Sequence, residues 1–127
     1  MDGNDFHILK AINVINPRVI ILEYQDILGP KQSLTIPYVA DFSAEQTPTG
    51  PNYYGASLSA FVKLLSGRGY RYIGSQSLGF NAFFVKEAIA KNIFPEASLA
   101  AAFAHPKVIH GINNRFPFVK HLKWEEV

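Results

Sequence analysis

Val19, Ile20, Ile21 and Leu22 form an apolar run with no polar residue between them, three of the four β-branched. A strand with one wet face alternates. An unbroken run predicts a strand covered on both faces, so Arg18–Tyr24 reads as an interior strand of a parallel sheet, with a neighbour required on each side. Upstream, Phe6, Leu9 and Asn13 share one helical face, and Ile8, Ile12 and Ile15 share the next. This predicts a helix capped by Asn4 or Asp5, running to about Asn13 and closed by Asn16-Pro17. Leu58, Phe61, Val62 and Leu65 fit the i, i+3, i+4, i+7 template of a helix with one buried stripe. Gly67 stands where a left-handed cap would end it.

"YRYIGSQ" and "NAFFVK" read as two strands, and the short "SLGF" between them makes an antiparallel hairpin over Tyr70–Lys86. Residues 25–55 form a long connection holding Gly29-Pro30, an extended "SLTIPY" and the loop "SAEQTPTGPN". So long a loop without structure of its own is uncommon in a small domain and is often functional. From about residue 91, alanine-rich helical pieces alternate with Pro95, Pro106 and Pro117, so 91–127 reads as an irregular helical extension of a single 1–127 domain.

The order helix, strand, long loop, helix, strand, strand is that of half an α/β sheet. The chain opens on "MDGNDF", which is turn chemistry. A parallel strand ending at Met1 would supply the neighbour that "RVIILEY" needs. The expectation is a sheet lacking its N-terminal strands, completed by self-association or by a partner chain.

Composition narrows the classes. The chain has 127 residues, 48% of them hydrophobic, enough for a core at this length. Net charge is only +2, which argues against a nucleic-acid or anionic-membrane partner. Lys107, Arg115, Lys120 and Lys123 make a mildly basic end that reads as a solvated face. There is no cysteine, so thiolate chemistry and disulfides are excluded. No apolar run approaches the roughly 20 residues that span a bilayer. A cytoplasmic domain is expected. His7, His105, His110 and His121 lack helical metal-ligand spacing.

"DGNDF..LKAI", "PRVIILEY", "GPKQSLTIPY", "NYYGASLSAFVKLLSGRGY" and "GFNAFFVK", in this order over about Asp2 to Ala90, resemble the C-terminal half of S-adenosylmethionine-dependent methyltransferase-like proteins of the FkbM type. The resemblance implies a doubly wound, Rossmann-like sheet whose last strand is antiparallel. It also implies a cofactor site built mainly on strands this chain does not contain, so S-adenosylmethionine belongs to the intact family and is not expected to bind this chain alone. Two departures stand out. The earlier acid of the family's Asp-x-Asp-Gly-Asn-Asp stretch is missing, and Gln76 stands where relatives often carry asparagine. Independently, Gly67-Arg68-Gly69 follows a helix and precedes a strand, the reverse of the dinucleotide-loop context.

Ligands of open α/β sheets sit at the carboxyl ends of the strands. Two such ends are expected here, one at Asp2, Asn4 and Asp5, the other at Glu23 and Tyr24. Methyl transfer to oxygen needs an in-line acceptor and a base or metal for the hydroxyl proton. Asp2, Asp5 and Glu23 are the candidate catalytic carboxylates, able also to offer oxygen ligands to a divalent ion. Asn4, Tyr24, Asn52, Tyr54, Ser57 and Asn81 are the candidate acceptor-binding residues. Each has a plain structural alternative: a turn for Asp2 and Asn4, a helix cap for Asp5, Asn52 or Ser57, a loop clamp for Glu23, packing for Tyr24, a local backbone bond for Asn81. The leading expectation is a truncated methyltransferase-like domain, inactive alone, whose ancestral reaction is methyl transfer to a small-molecule or sugar hydroxyl. The alternative is a non-catalytic interaction or structural subunit of a larger assembly.

Overall fold

A computed structural model of the chain describes residues 3–47 and 49–127. In chain order the elements are α1 (Asp5–Ala11), β1 (Val19–Glu23), β2 (Leu34–Thr35), α2 (Leu58–Ser66), β3 (Tyr70–Ser75), β4 (Asn81–Lys86), α3 (Leu99–Ala102), α4 (Pro106–Asn114), α5 (Phe116–Val119) and β5 (Glu125–Glu126). Single 3-10 turns lie at Asp26–Leu28 and Ala44–Gln46. No helix among the described residues is long and apolar enough to cross a membrane.

β4 lies in the middle of a three-stranded sheet ordered β1-β4-β3 and runs antiparallel to both neighbours. β1 and β3 therefore point the same way with β4 reversed between them. The hairpin expected over Tyr70–Lys86 is present. Gln76 N–H donates to Asn81 O at 2.8 Å, and Gly79 N–H to Gln76 O at 2.9 Å. Gly79 takes φ +85°, which closes the link. A register shift between Tyr72 and Gly74 bends β3.

The expected interior parallel strand is corrected. β1 is the sheet's edge and its ladder is antiparallel. Its burial alternates: Ile20 and Leu22 pack on the core, whereas Val19 is 52% and Ile21 61% exposed. An apolar run shows that both faces accept apolar groups, not that both are covered.

α2 forms as its pattern predicts. Ser57 Oγ caps it, accepting from Ala60 N–H at 3.1 Å and also from Leu34 N–H at 3.0 Å. Leu58, Phe61 and Leu65 are fully buried against the sheet residues Tyr70, Tyr72, Ala82 and Phe84, with Val62 at the margin. The end of α2 differs from expectation. Gly67 stays right-handed at φ −62°, and the left-handed residue is Gly69 at φ +77°, where the chain turns into β3. α1 stops at Ala11 because Ile12 is already extended. Arg68 holds that end by donating to the carbonyls of Leu9, Lys10 and Ile12.

The 25–55 connection is not structureless. β2 within it pairs with β5 at the far end of the chain, Leu34 facing Glu126 and Thr35 facing Glu125. Ser33 exchanges bonds with Val127, its hydroxyl donating to Val127 O at 2.6 Å and its carbonyl accepting from Val127 N–H at 3.0 Å. Tyr53 stands edge-on to Trp124 and donates its hydroxyl to Lys123 O. The C-terminal extension thus straps the long connection. Pro106 and Pro117 fall in the first turns of α4 and α5, where a missing N–H does no harm.

Candidate functional site

Past β1 the chain dives into the protein. Tyr24 N–H donates to Phe80 O and Gln25 N–H to Ala56 O, which carries Tyr24, Gln25 and the turn Asp26–Leu28 under the surface. Gly111 of α4 and Gly79 of the hairpin link give the turn its room. A methyl group on Gly111 would come 3.2 Å from Ile27, and one on Gly79 3.4 Å from Asp26 Oδ2.

A polar cluster assembles at this carboxyl end. Glu23 is exposed and its Oε1 accepts from the Tyr54 hydroxyl at 3.1 Å. Gln25 Nε2 donates to Asn52 O at 3.0 Å. Asn52 Oδ1 accepts from Arg115 Nε at 2.8 Å, and Arg115 Nη1 lies 3.8 Å from Asp26 Oδ1. Asp26 is 2% exposed. Three buried polar atoms here have no protein partner: Asp26 Oδ2, Gln25 Oε1 and the Tyr24 hydroxyl. Ser75 beside Tyr24 is engaged with the Tyr72 hydroxyl at 2.7 Å. Buried groups left open in this way are uncommon and mark a place for water or a ligand.

The electrostatics follow from burial. Desolvation pushes the Asp26 carboxyl above the ordinary aspartate range, opposed in part by Arg115, then Lys107, then backbone amides. Burial first, then the Glu23 charge and hydrogen bond, hold the Tyr54 phenol far above its usual range, so it remains a donor toward Glu23. Burial likewise raises Tyr24. Lys107 is held at 3.9 Å over the Phe80 ring.

Asp26 therefore binds a proton more readily in the folded chain than in the unfolded one. It weakens the fold as pH rises above the ordinary aspartate value, until the raised folded value is passed. Below the ordinary value both states are protonated and the penalty is absent. Asp26→Asn is expected to exceed the wild type in stability at pH 7 and to lose that advantage in acid. Urea unfolding at the two pH values checks this. A variant weaker at pH 7 would mean that the attraction of Arg115 outweighs the burial penalty.

The structure sorts the sequence candidates. Glu23, Asn52 and Tyr54 come together, whereas Tyr24 is buried in the core against Phe103. Asn81 faces Glu23 across the ladder, its amide turned to Gln76 Oε1 at 3.2 Å. Ser57 is a helix cap, and its oxygen is taken. Asn4 stands at the α1 cap position without capping. Its Nδ2 donates to Val39 O at 2.7 Å, which clamps the long connection. Asp5 accepts from Gly3 N–H at 3.3 Å. The described hydrogen bonds of Asn4 and Asp5 do not reach the Glu23 cluster. Asp2 lies outside the described residues. His7 bonds Ile36 O at 2.8 Å, away from the cluster.

Gln25, Asp26, Lys107 and Arg115 were not expected as site residues. Asp26 had one signal, its place three residues after Glu23. Lys107 and Arg115 were read as a solvated face, yet one sits on Phe80 and the other on Asn52 and Asp26. Among the described residues no group of three or more His, Cys, Asp or Glu could hold a metal ion.

Fold and site together define a small α/β domain with a three-stranded antiparallel sheet and a polar cluster where its edge strand ends. Comparison of the chain with protein-family models, with curated proteins and with solved structures gives no significant match.

Proposed function

We propose that this chain is a methyltransferase-like domain of the FkbM type that carries the acceptor side of methyl transfer to a small-molecule or sugar hydroxyl. The observation that carries this reading is the Glu23–Tyr54 pair at the carboxyl end of β1, backed by Asp26, Arg115 and Asn52. A strand end is where open α/β sheets present ligand-binding groups. The antiparallel last strand of the sheet agrees with what the sequence resemblance implies.

Glu23 is the acceptor's base. It is exposed, and Tyr54 fixes one carboxylate oxygen and leaves the other toward solvent. Tyr54 and Arg115 are positioning residues. For S-adenosylmethionine the described residues fit poorly. The Gly67-Arg68-Gly69 stretch joins α2 to β3, and the turn after β1 is filled by buried side chains. No step is therefore assigned through that cofactor on this chain alone.

A ligand-observed NMR screen of hydroxylated small molecules tests the reading. A binder is expected to shift the amides of Glu23, Asp26 and Arg115. Glu23→Gln should remove the binding and leave the melting temperature unchanged, since Glu23 is exposed. No binder, or one indifferent to Glu23→Gln, overturns it. Titration calorimetry with S-adenosylmethionine is expected to show no binding, and micromolar affinity would overturn the acceptor-side assignment. One observation favours the second reading, an interaction subunit: among the described residues no strand pairs with the outer edge of β1.

A further inference from the structure

The two edges of the sheet are treated differently. On the β3 side the ladder is interrupted by the shift between Tyr72 and Gly74, and Tyr72 O accepts from Ala97 N–H at 2.9 Å. Bulges and covering segments are the usual means of closing an edge to other chains. Val19–Glu23 has no bulge, proline or lysine. Its backbone direction can be read from the ladder. Arg18 O accepts from Lys86 N–H, and Tyr24 N–H donates to Phe80 O. Antiparallel alternation then turns the N–H and C=O of Ile20 and Leu22 toward β4, and those of Val19, Ile21 and Glu23 away from it. A groove of about 560 Å³ continues from this edge, lined by Ile12, Ile15, Val19, Ile21 and Tyr70. Its charged lining residue, Arg68, is engaged with three carbonyls of the α1 end. The surface offers outward backbone groups and uncharged apolar side chains, which is what another β-strand requires.

We infer that β1 pairs with β1 of a second copy, antiparallel and with Ile21 facing Ile21 across a two-fold axis. The register selects this occupant. Two-fold antiparallel pairing makes one residue face itself. Centred on Ile21, it sets Val19 against Glu23 of the second copy, so every outward residue exchanges two hydrogen bonds with an outward residue. Centred on Ile20, Glu23 would face Pro17, which has no N–H. Centred on Leu22, Val19 would face Gln25, whose N–H is already given to Ala56 O at 2.8 Å. The strand is thus self-complementary in one register. The product is one continuous antiparallel sheet in the order β3-β4-β1-β1-β4-β3, with Val19 and Ile21 of both copies on one face. This pairing requires nothing of the chemistry proposed above.

Sedimentation velocity of the full chain at micromolar concentration, with amide exchange read residue by residue, tests it. A dimer is expected, with Val19 and Ile21 amides protected at high concentration and exposed on dilution, and with Ile20 and Leu22 protected throughout. Ile21→Lys sets two ammonium groups against each other on the axis. Ile21 is 61% exposed, so the variant should keep its circular dichroism, and its melting temperature should match that of the wild type diluted to monomer. It should sediment as a monomer with fast exchange at residue 21. A wild type that stays monomeric with a fast-exchanging Ile21 overturns the pairing. So does a monomer whose Ile21 amide is protected, because a segment of its own chain would then cover the edge. A dimer that survives Ile21→Lys overturns it as well.

Discussion

Phe61→Ala is expected to cost about 3–5 kcal/mol of folding stability, the range for truncating a large buried ring. Phe61 is fully buried and its ring lies 5.7 Å from that of Phe6, which brings α1 onto α2. Leu58 and Leu65 flank it on the same helix, and Tyr70, Tyr72 and Phe84 of the sheet belong to the same cluster. Walls drawn from two helices and a sheet cannot all close on the space left behind, so the cavity term adds to the lost transfer energy. Domains of this size are stable by roughly 5–15 kcal/mol, so the variant would approach its unfolding limit. Val62→Ala, at the margin of the same helix, should cost clearly less. Urea denaturation of the two variants decides. An unchanged midpoint for Phe61→Ala would place the wrong face of α2 against the sheet.

α2 was legible because everything that specifies it is local, between Ser57 and Gly69: the cap, the apolar stripe and the glycines beyond. The β3–β4 hairpin was legible for the same reason, since a short link fixes its partner. β1 was legible as a strand but not by its place in the sheet. Val, Ile and Leu satisfy an edge and an interior equally, and the choice rests on which strand arrives, a non-local matter. The Ser33–Val127 contact joins residues 94 apart in sequence, the β2–β5 pair residues nearly as far apart, and neither partner carries a local pattern.

The site divides along the same line. Glu23 was named because a carboxylate beside a dry strand must find a partner; the strand end is in fact exposed, and Tyr54 donates to Glu23 there. Asn52 was named, but Arg115, which fixes it, lies 63 residues away in the extension that the resemblance does not cover. Asp26 was in plain view beside Glu23. What the sequence did not disclose was its burial, which depends on α4 and the hairpin link closing over it. Asn4 and Ser57 have polar side chains committed to local architecture, as their structural alternatives anticipated for Ser57 and as the Val39 clamp shows for Asn4.

Arg71 is the least legible residue of all. An arginine in a strand reads as a solvent-facing position, yet it is 3% exposed. Its guanidinium donates to four backbone carbonyls: Phe94 at 2.9 Å, Lys86 at 3.0 Å, Glu87 at 2.8 Å and Ile89 at 2.6 Å. The Glu87 carboxylate stands 4.0 Å away. The chain after β4 folds back around this side chain; Lys86 O also accepts from Ile89 N–H at 2.9 Å, and the carbonyls of Glu87, Ile89 and Phe94 rely on the guanidinium. Arg71→Met keeps the apolar stem and removes every donor. Buried acceptors left without a donor cost roughly 1–3 kcal/mol each, but Glu87 and Phe94 are exposed and water can reach their carbonyls, so a loss of about 2–3 kcal/mol in all is expected. Arg71→Lys should recover only part of it, because an ammonium gathers its three donors at one point and cannot span carbonyls spread around a planar fork. Amide exchange locates the damage: Ile89, Ile93, Phe94 and Ala97 should open in Arg71→Met before the β1–β4 ladder does. If Arg71→Met melts with the wild type, the fold-back is held by its own turn bonds, such as Ile89 N–H to Lys86 O and Phe94 N–H to Ala90 O, and the guanidinium is incidental to it.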